Sequence, residues 1–115
     1  MPNFTTKEQA MAREAYIRVE KRHQELRDDF KVYKSFALSF PSLIHSCGLV
    51  QAVAFALAKD KNAYIKDLQE VFDTIDSAGD LQVRSREAPI MEYMRITRHA
   101  NSAASWLKRY CQASD

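Results

Sequence analysis

Between Leu49 and Ala58 the chain reads LVQAVAFALA, and Gln51 is its only polar side chain. A run that is apolar on every side predicts a helix buried on most sides, not an amphipathic surface helix. It is too short for a bilayer span, which takes roughly 20 apolar residues. His45, Ser46, Gly48 and Gln51 also break up the wider stretch from Phe40 to Lys59. The run therefore reads as the central core helix of a small domain. Ala52, Ala54, Ala56 and Ala58 would let neighbouring helices approach, and Val53, Phe55 and Leu57 would fill the space between. Pro41 suits the first position of a short preceding helix, and Gly48 suits the left-handed cap that ends it.

The rest of the chain is consistent with helices wrapped around that run. Its 115 residues are the size of one domain, and it has only two glycines and three prolines. Hairpins and long loops are poorly supplied, so the expected fold is all-α. That means a single compact bundle of about five to six helices around a buried central helix, with residues 1–115 forming one domain. Cys47 and Cys111 are isolated thiols, and MPNFTTKEQA lacks the apolar core of a secretory signal. Both point to a reducing compartment and a cytoplasmic protein.

Thr5 and Glu8 have capping-box spacing and would open the first helix. Its stripe is Met11, Ala15, Val19, Leu26 and Phe30, with an end expected near residues 29–33. A second helical piece, Val32 to Phe40, would precede the short Pro41 helix. After the central run, Tyr64, Leu68, Val71, Phe72 and Ile75 form another stripe, closed by Gly79. Leu81 to Glu87 has no periodicity and reads as an exposed turn or short extended piece. Pro89 starts the last helix, whose stripe includes Tyr93, Ile96, Ala100, Ala103, Ala104, Leu107, Tyr110 and Cys111.

Few chemistries are supplied. There is no Gly-rich phosphate loop, no HExxH and no CxxC, so no metal site, cofactor or catalytic set is expected. Asp73 with Asp76, like Asp28 with Asp29, reads as a hydrated pair on an exposed face. His45 reads as a hydrogen-bonded residue at the core boundary. The charge is uneven. Residues 1–34 hold eight basic against six acidic side chains, residues 36–80 three against six, and residues 81–115 six against three. Two basic ends flank an acidic middle. On the last helix, Arg95, Arg98, Ser102, Ser105 and Arg109 lie away from the apolar stripe, with Lys108 adjacent. Such a row can hold a phosphate backbone, which needs repeated cations. The residues alone fit an ordinary solvated face better.

Four stretches together resemble the small α-helical subunit of type III-B CRISPR effector complexes, the Cmr-type small subunit. They are EQAMAREAY (Glu8–Tyr16), YKSFALSFPSLIHSCGLVQAVAFALAK (Tyr33–Lys59), the Tyr93, Thr97, Arg98 run and WLKRY (Trp106–Tyr110). In the second, Ile44, Gly48, Leu49, Gln51, Ala54, Phe55 and Lys59 occupy the family's places. The resemblance covers most of the chain except Asn62 to Ala88.

It implies a helical bundle without catalytic activity, stacking as several copies beside the guide-RNA backbone subunits. The implied partners are the backbone and large subunits, further copies of the chain, and the guide RNA–target RNA pair, with no membrane. The implied role is to bind target RNA along its phosphates while guide pairing reads the sequence. On that footing Arg98, Lys108 and Arg109 are expected at the RNA, helped by Arg95 and by Arg13 and Arg18 of the first helix. The rival reading is a helical protein–protein interaction adaptor without nucleic-acid binding. It predicts an exposed apolar groove and binding that is insensitive to salt.

Overall fold

The computed structural model describes residues 6–114, so Thr5 lies outside the described residues. Six α-helices and one 3-10 turn account for most of them, with no strand among the described residues. They are α1 (Lys7–Leu26), α2 (Phe30–Cys47), α3 (Leu49–Ala58), α4 (Asn62–Asp73), α5 (Leu81–Glu87) and α6 (Ile90–Ala113). The all-α bundle expected from the sequence is observed.

The capping box of α1 is formed one residue later than expected. Thr6 Oγ1 accepts from the Gln9 amide at 3.0 Å, and Gln9 Oε1 accepts from the Thr6 amide at 2.9 Å. Glu8 is thereby free for another partner. The helix stops at Leu26, where Arg27 takes φ 52°, and a 3-10 turn over Arg27–Asp29 redirects the chain. The two pieces expected between residues 32 and 47 are one helix. Pro41 sits inside α2, where it removes one backbone donor without ending the helix. Gly48 is the joint between α2 and α3. Its φ of 86° favours glycine, and its amide donates to the Ile44 carbonyl at 2.8 Å. From α6, the Tyr93 hydroxyl accepts from the Val50 amide at 3.2 Å and holds this joint.

The central helix is α6, not α3. α6 packs against α1, α2, α4 and α5, while α3 lies to one side against α2, α4 and α5. Leu49, Ala52, Val53 and Ala56 of α3 are buried, but Val50 and Ala54 face solvent and Phe55 is 43% exposed. The buried four recur at i, i+3, i+4 and i+7, an amphipathic stripe masked by apolar residues on the outer face. On α6 the buried stripe is Ile96, Ala100, Ala103, Ala104, Leu107 and Cys111. Its three alanines bring neighbouring helices close.

α1 runs in the same sense as α6, with Glu8 against Trp106 and Tyr16 against Tyr110. α2 runs in the opposite sense, with Lys34 donating to the Ser114 carbonyl and Gly48 beside Tyr93. Leu81 to Glu87 is helical and not extended. Asp80 caps it by accepting from the Gln82 amide at 2.7 Å, and Leu81, Arg84 and Ser85 are buried. Gly79 lies beyond α4, which ends at Asp73. No helix among the described residues is long and apolar enough to cross a membrane.

Candidate nucleic-acid interface

Two internal ion clusters decide which cations remain for a partner. The first is centred on Asp67, fully buried on α4 within the stripe of Tyr64, Leu68 and Val71. A carboxylate there is costly unless paired. Arg18 and Arg22, one turn apart on α1, both reach it. Arg18 donates through Nε at 2.9 Å, and Arg22 through Nε at 2.8 Å and Nη2 at 3.1 Å. The Tyr33 hydroxyl of α2 also donates to Asp67, so one carboxylate fastens three helices. Burial first, and the Asp67 charge second, drive the Tyr33 phenol far above its ordinary pKa. Hydrogen bonding to Asp67 raises Arg22.

The second cluster is centred on Asp76, just past α4. Arg84 of α5 donates through Nη1 at 2.9 Å, Arg95 of α6 donates at 2.8 Å, and His99 Nδ1 lies 3.5 Å away. Burial alone would raise the Asp76 carboxyl, but the Arg84 guanidinium, with Arg95 behind it, outweighs burial and holds it below its ordinary value. Asp76 is therefore an internal anion and not half of a hydrated pair with Asp73. Arg84 also lies over the Phe72 ring at 5.6 Å.

These clusters sort the six cations singled out in the sequence. Arg18 is spent on Asp67, with a side chain only 12% exposed. Arg95 is tied to Asp76 through Nη1, although 44% of its side chain is exposed. Arg98 and Arg109 are exposed and make no ion pair among the described residues, and Ser102 and Ser105 lie between them on the same face of α6. At 1.5 Å per residue the two arginines are about 16 Å apart along the helix. Lys108 is half-buried on the flank of that row, also unpaired among the described residues. Arg13 is exposed on the outer face of α1, opposite Met11, Ala15 and Val19. Thus Arg98, Lys108 and Arg109 share one helix, Arg13 stands on its neighbour, and Arg18 and Arg95 serve the interior.

Trp106 and Leu107 divide their work. Leu107 is in the core, while Trp106 is half-buried at the α1–α6 seam. Its indole N–H donates to Glu8 at 2.7 Å, and its ring stacks on Tyr110 with centroids 5.9 Å apart. Both cysteines are free, Cys47 exposed and Cys111 buried. Burial pushes the Cys111 thiol up to about 12, so it stays protonated and unreactive at neutral pH. His45 is exposed on the last turn of α2 and is not a boundary residue. Among the described residues no three His, Cys, Asp or Glu side chains are grouped to hold a metal ion.

The sequence carries a signal for the Asp67 cluster that a search for surface cations passes over. An aspartate three residues after Tyr64 and four before Val71 sits inside an apolar stripe, and Arg18 and Arg22 border the stripe of α1 one turn apart. An acid on one buried face and two bases on another is the pattern of an internal ion pair.

The fold and this surface define a small all-α protein that keeps two acids inside and presents a cationic row on its longest helix. The family of CRISPR-associated proteins designated Cas_Cmr5 matches residues 7–114. The chain is 37% identical over 111 residues to the CRISPR system Cmr subunit Cmr5 of Thermus thermophilus, covering 94% of this chain and 95% of that one. The crystal structure of a CRISPR-associated Cmr5 family protein from the same organism superposes with a TM-score of 0.84 at 33% identity, over 95% of this chain and 97% of that chain. This protein belongs to the Cmr5 family.

Proposed function

We propose that this chain is the small, non-catalytic subunit of a type III-B, RNA-guided CRISPR complex in the cytoplasm. It forms a single helical domain that stacks with further copies beside the backbone and large subunits and holds the guide–target RNA by its phosphates. The Thermus relative is named as a Cmr subunit, which supports membership of such a complex. The observation that carries the RNA role is the row Arg98, Ser102, Ser105, Arg109, which has no carboxylate partner among the described residues. Cations left unpaired along a helix suit a phosphate chain, which asks for repeated charge and little geometry. Lys108 flanks that row, and Arg13 adds an exposed cation on α1. Arg18 drops out of that set, and Arg95 contributes only its outer edge.

A second feature favours a protein contact on the same molecule. Val83, Ile90, Met91 and Met94 are exposed where α5 meets the start of α6, with Ile90 at 69% and Met91 at 76%. An apolar patch of this kind suits a neighbouring subunit. The adaptor alternative would make that patch the whole function. Head-to-tail contacts between unlike faces build open stacks, so both features fit one filament subunit.

The test is affinity purification of the tagged chain from cells that carry the remaining subunits. Recovery of guide RNA and backbone subunits with the chain is the expected result. Recovery of protein partners without RNA, stable at high salt, would favour the adaptor.

A further inference from the structure

A hollow of about 330 Å³ lies between the start of α1 and the second half of α6, lined by Glu8, Asn101, Ser102, Ser105, Trp106 and Arg109. We propose that it binds one unpaired ribonucleotide, with the base on the Trp106 indole and the phosphate on Arg109. The proposal rests on the RNA reading above and adds to it a contact that phosphates alone do not supply.

The lining has the parts such a ligand needs. Trp106 offers an aromatic surface that is already held in place. Glu8 fixes its N–H at 2.7 Å, Tyr110 stacks behind it, and Tyr16 closes edge-on against Tyr110 at 5.5 Å. A ring fixed on both sides loses little freedom when a base lies on it. Arg109 follows Trp106 by three residues, which places both side chains on one side of the helix. It makes no ion pair among the described residues, although Glu8 lines the same hollow.

Polar groups fill the remainder. The Ser105 hydroxyl donates to the Asn101 carbonyl at 2.8 Å, leaving its oxygen as an acceptor. Glu8 Oε1 is taken by the indole, which leaves the second carboxylate oxygen to accept from a ribose hydroxyl.

The charge balance selects the ligand class. One carboxylate and one guanidinium make the hollow neutral, so it does not attract a polyphosphate. A single phosphate attached to a flat ring fits better. The base must be unpaired, because a base within a duplex shows its edges and not its faces. Stacking does not read sequence, so the hollow accepts any base.

Trp106 is the only tryptophan in the chain, so its fluorescence reports on the hollow directly. The experiment titrates the full chain with uridine 5′-monophosphate and, separately, with ribose 5-phosphate. The expected result is saturable quenching by the nucleotide and none by the sugar phosphate. Arg109→Ala should weaken the response about ten-fold, at the low end for losing one hydrogen bond to a charged group. Ser102→Phe, which fills the hollow from a half-buried position on its wall, should abolish it without lowering the melting temperature. No quenching at millimolar nucleotide, equal quenching by ribose 5-phosphate, or an unchanged response in Ser102→Phe would each overturn the proposal. A labelled oligouridylate separates this outcome from the wider RNA reading. If it binds with salt dependence while Trp106 emission stays constant, the hollow is not a base site and the phosphate face stands.

Discussion

Asp67 shows how much one side chain can organise. Its carboxylate accepts from Arg18, Arg22 and Tyr33, and so joins α1, α2 and α4 at one buried point. Removing one partner of a buried ion cluster costs about 3–5 kcal/mol, because the remaining charges stay desolvated. Asp67→Ala should therefore destabilise the protein by about that amount in urea unfolding. Arg18→Ala should cost less, since Arg22 still neutralises the carboxylate.

Asp76 gives a pH dependence of known sign. Its folded pKa is lowered below the ordinary 3.8, so the unfolded chain takes up the proton first as pH falls. The stabilisation is complete above about pH 4 and is lost as pH drops through the folded value. Asp76→Asn should be less stable than the parent at pH 7, and the gap should close below about pH 4. A constant gap across that range would contradict the assignment. In sequence, Asp76 resembles half of a hydrated pair with Asp73, because its partners Arg84 and Arg95 are 8 and 19 residues away.

At the scale of elements, the long helices and the bounds of α3 and α6 are legible in the sequence, whereas the unbroken α2, the short α5, the ends of α1 and α4 and the ranking of burial are not. The bounds of α3 are plain from Gly48 on one side and Lys59-Asp60 on the other. Its place in the bundle is hidden, since outward Val50, Ala54 and Phe55 look in sequence like core residues. The reverse holds for α6. Its alanines lower its apparent hydrophobicity, yet they are what allow α1, α2 and α4 to close around it. α5 escapes a reading by periodicity because seven residues are too few to show a period, and two arginines obscure Leu81 as its core contact.

Paired substitutions on α3 separate the two accounts. Ala54→Asp, on the solvent side, should change stability by less than about 0.5 kcal/mol. Ala56→Asp, on the buried side, places an unpaired charge in the core and should unfold the protein. Similar melting curves for the two variants would mean that the faces of α3 are wrongly assigned.

Across the whole molecule, charge counted along the chain overstates what a partner meets. The acidic middle segment includes Asp67 and Asp76, both internal, and they consume Arg18, Arg22, Arg84 and part of Arg95. Of the six cations singled out in the sequence, Arg98, Lys108 and Arg109 on α6 and Arg13 on α1 are left without an internal carboxylate. The sequence resemblance picks out Arg98, Lys108 and Arg109 together. It does not separate them from Arg18, because an arginine bordering an apolar stripe reads the same whether its head group turns inward or outward.

The central claim is that this α6 face holds RNA by its phosphates. The direct measurement is target-RNA affinity of the assembled complex against salt, with Arg98, Lys108 and Arg109 replaced by Ala and assembly confirmed. Each lost phosphate contact should reduce the magnitude of the log–log salt slope by roughly 0.7 on a single strand. Unrelated target sequences should weaken alike, since phosphates carry no base information. A complex that assembles with the triple variant and keeps the parent's affinity and slope would contradict the claim.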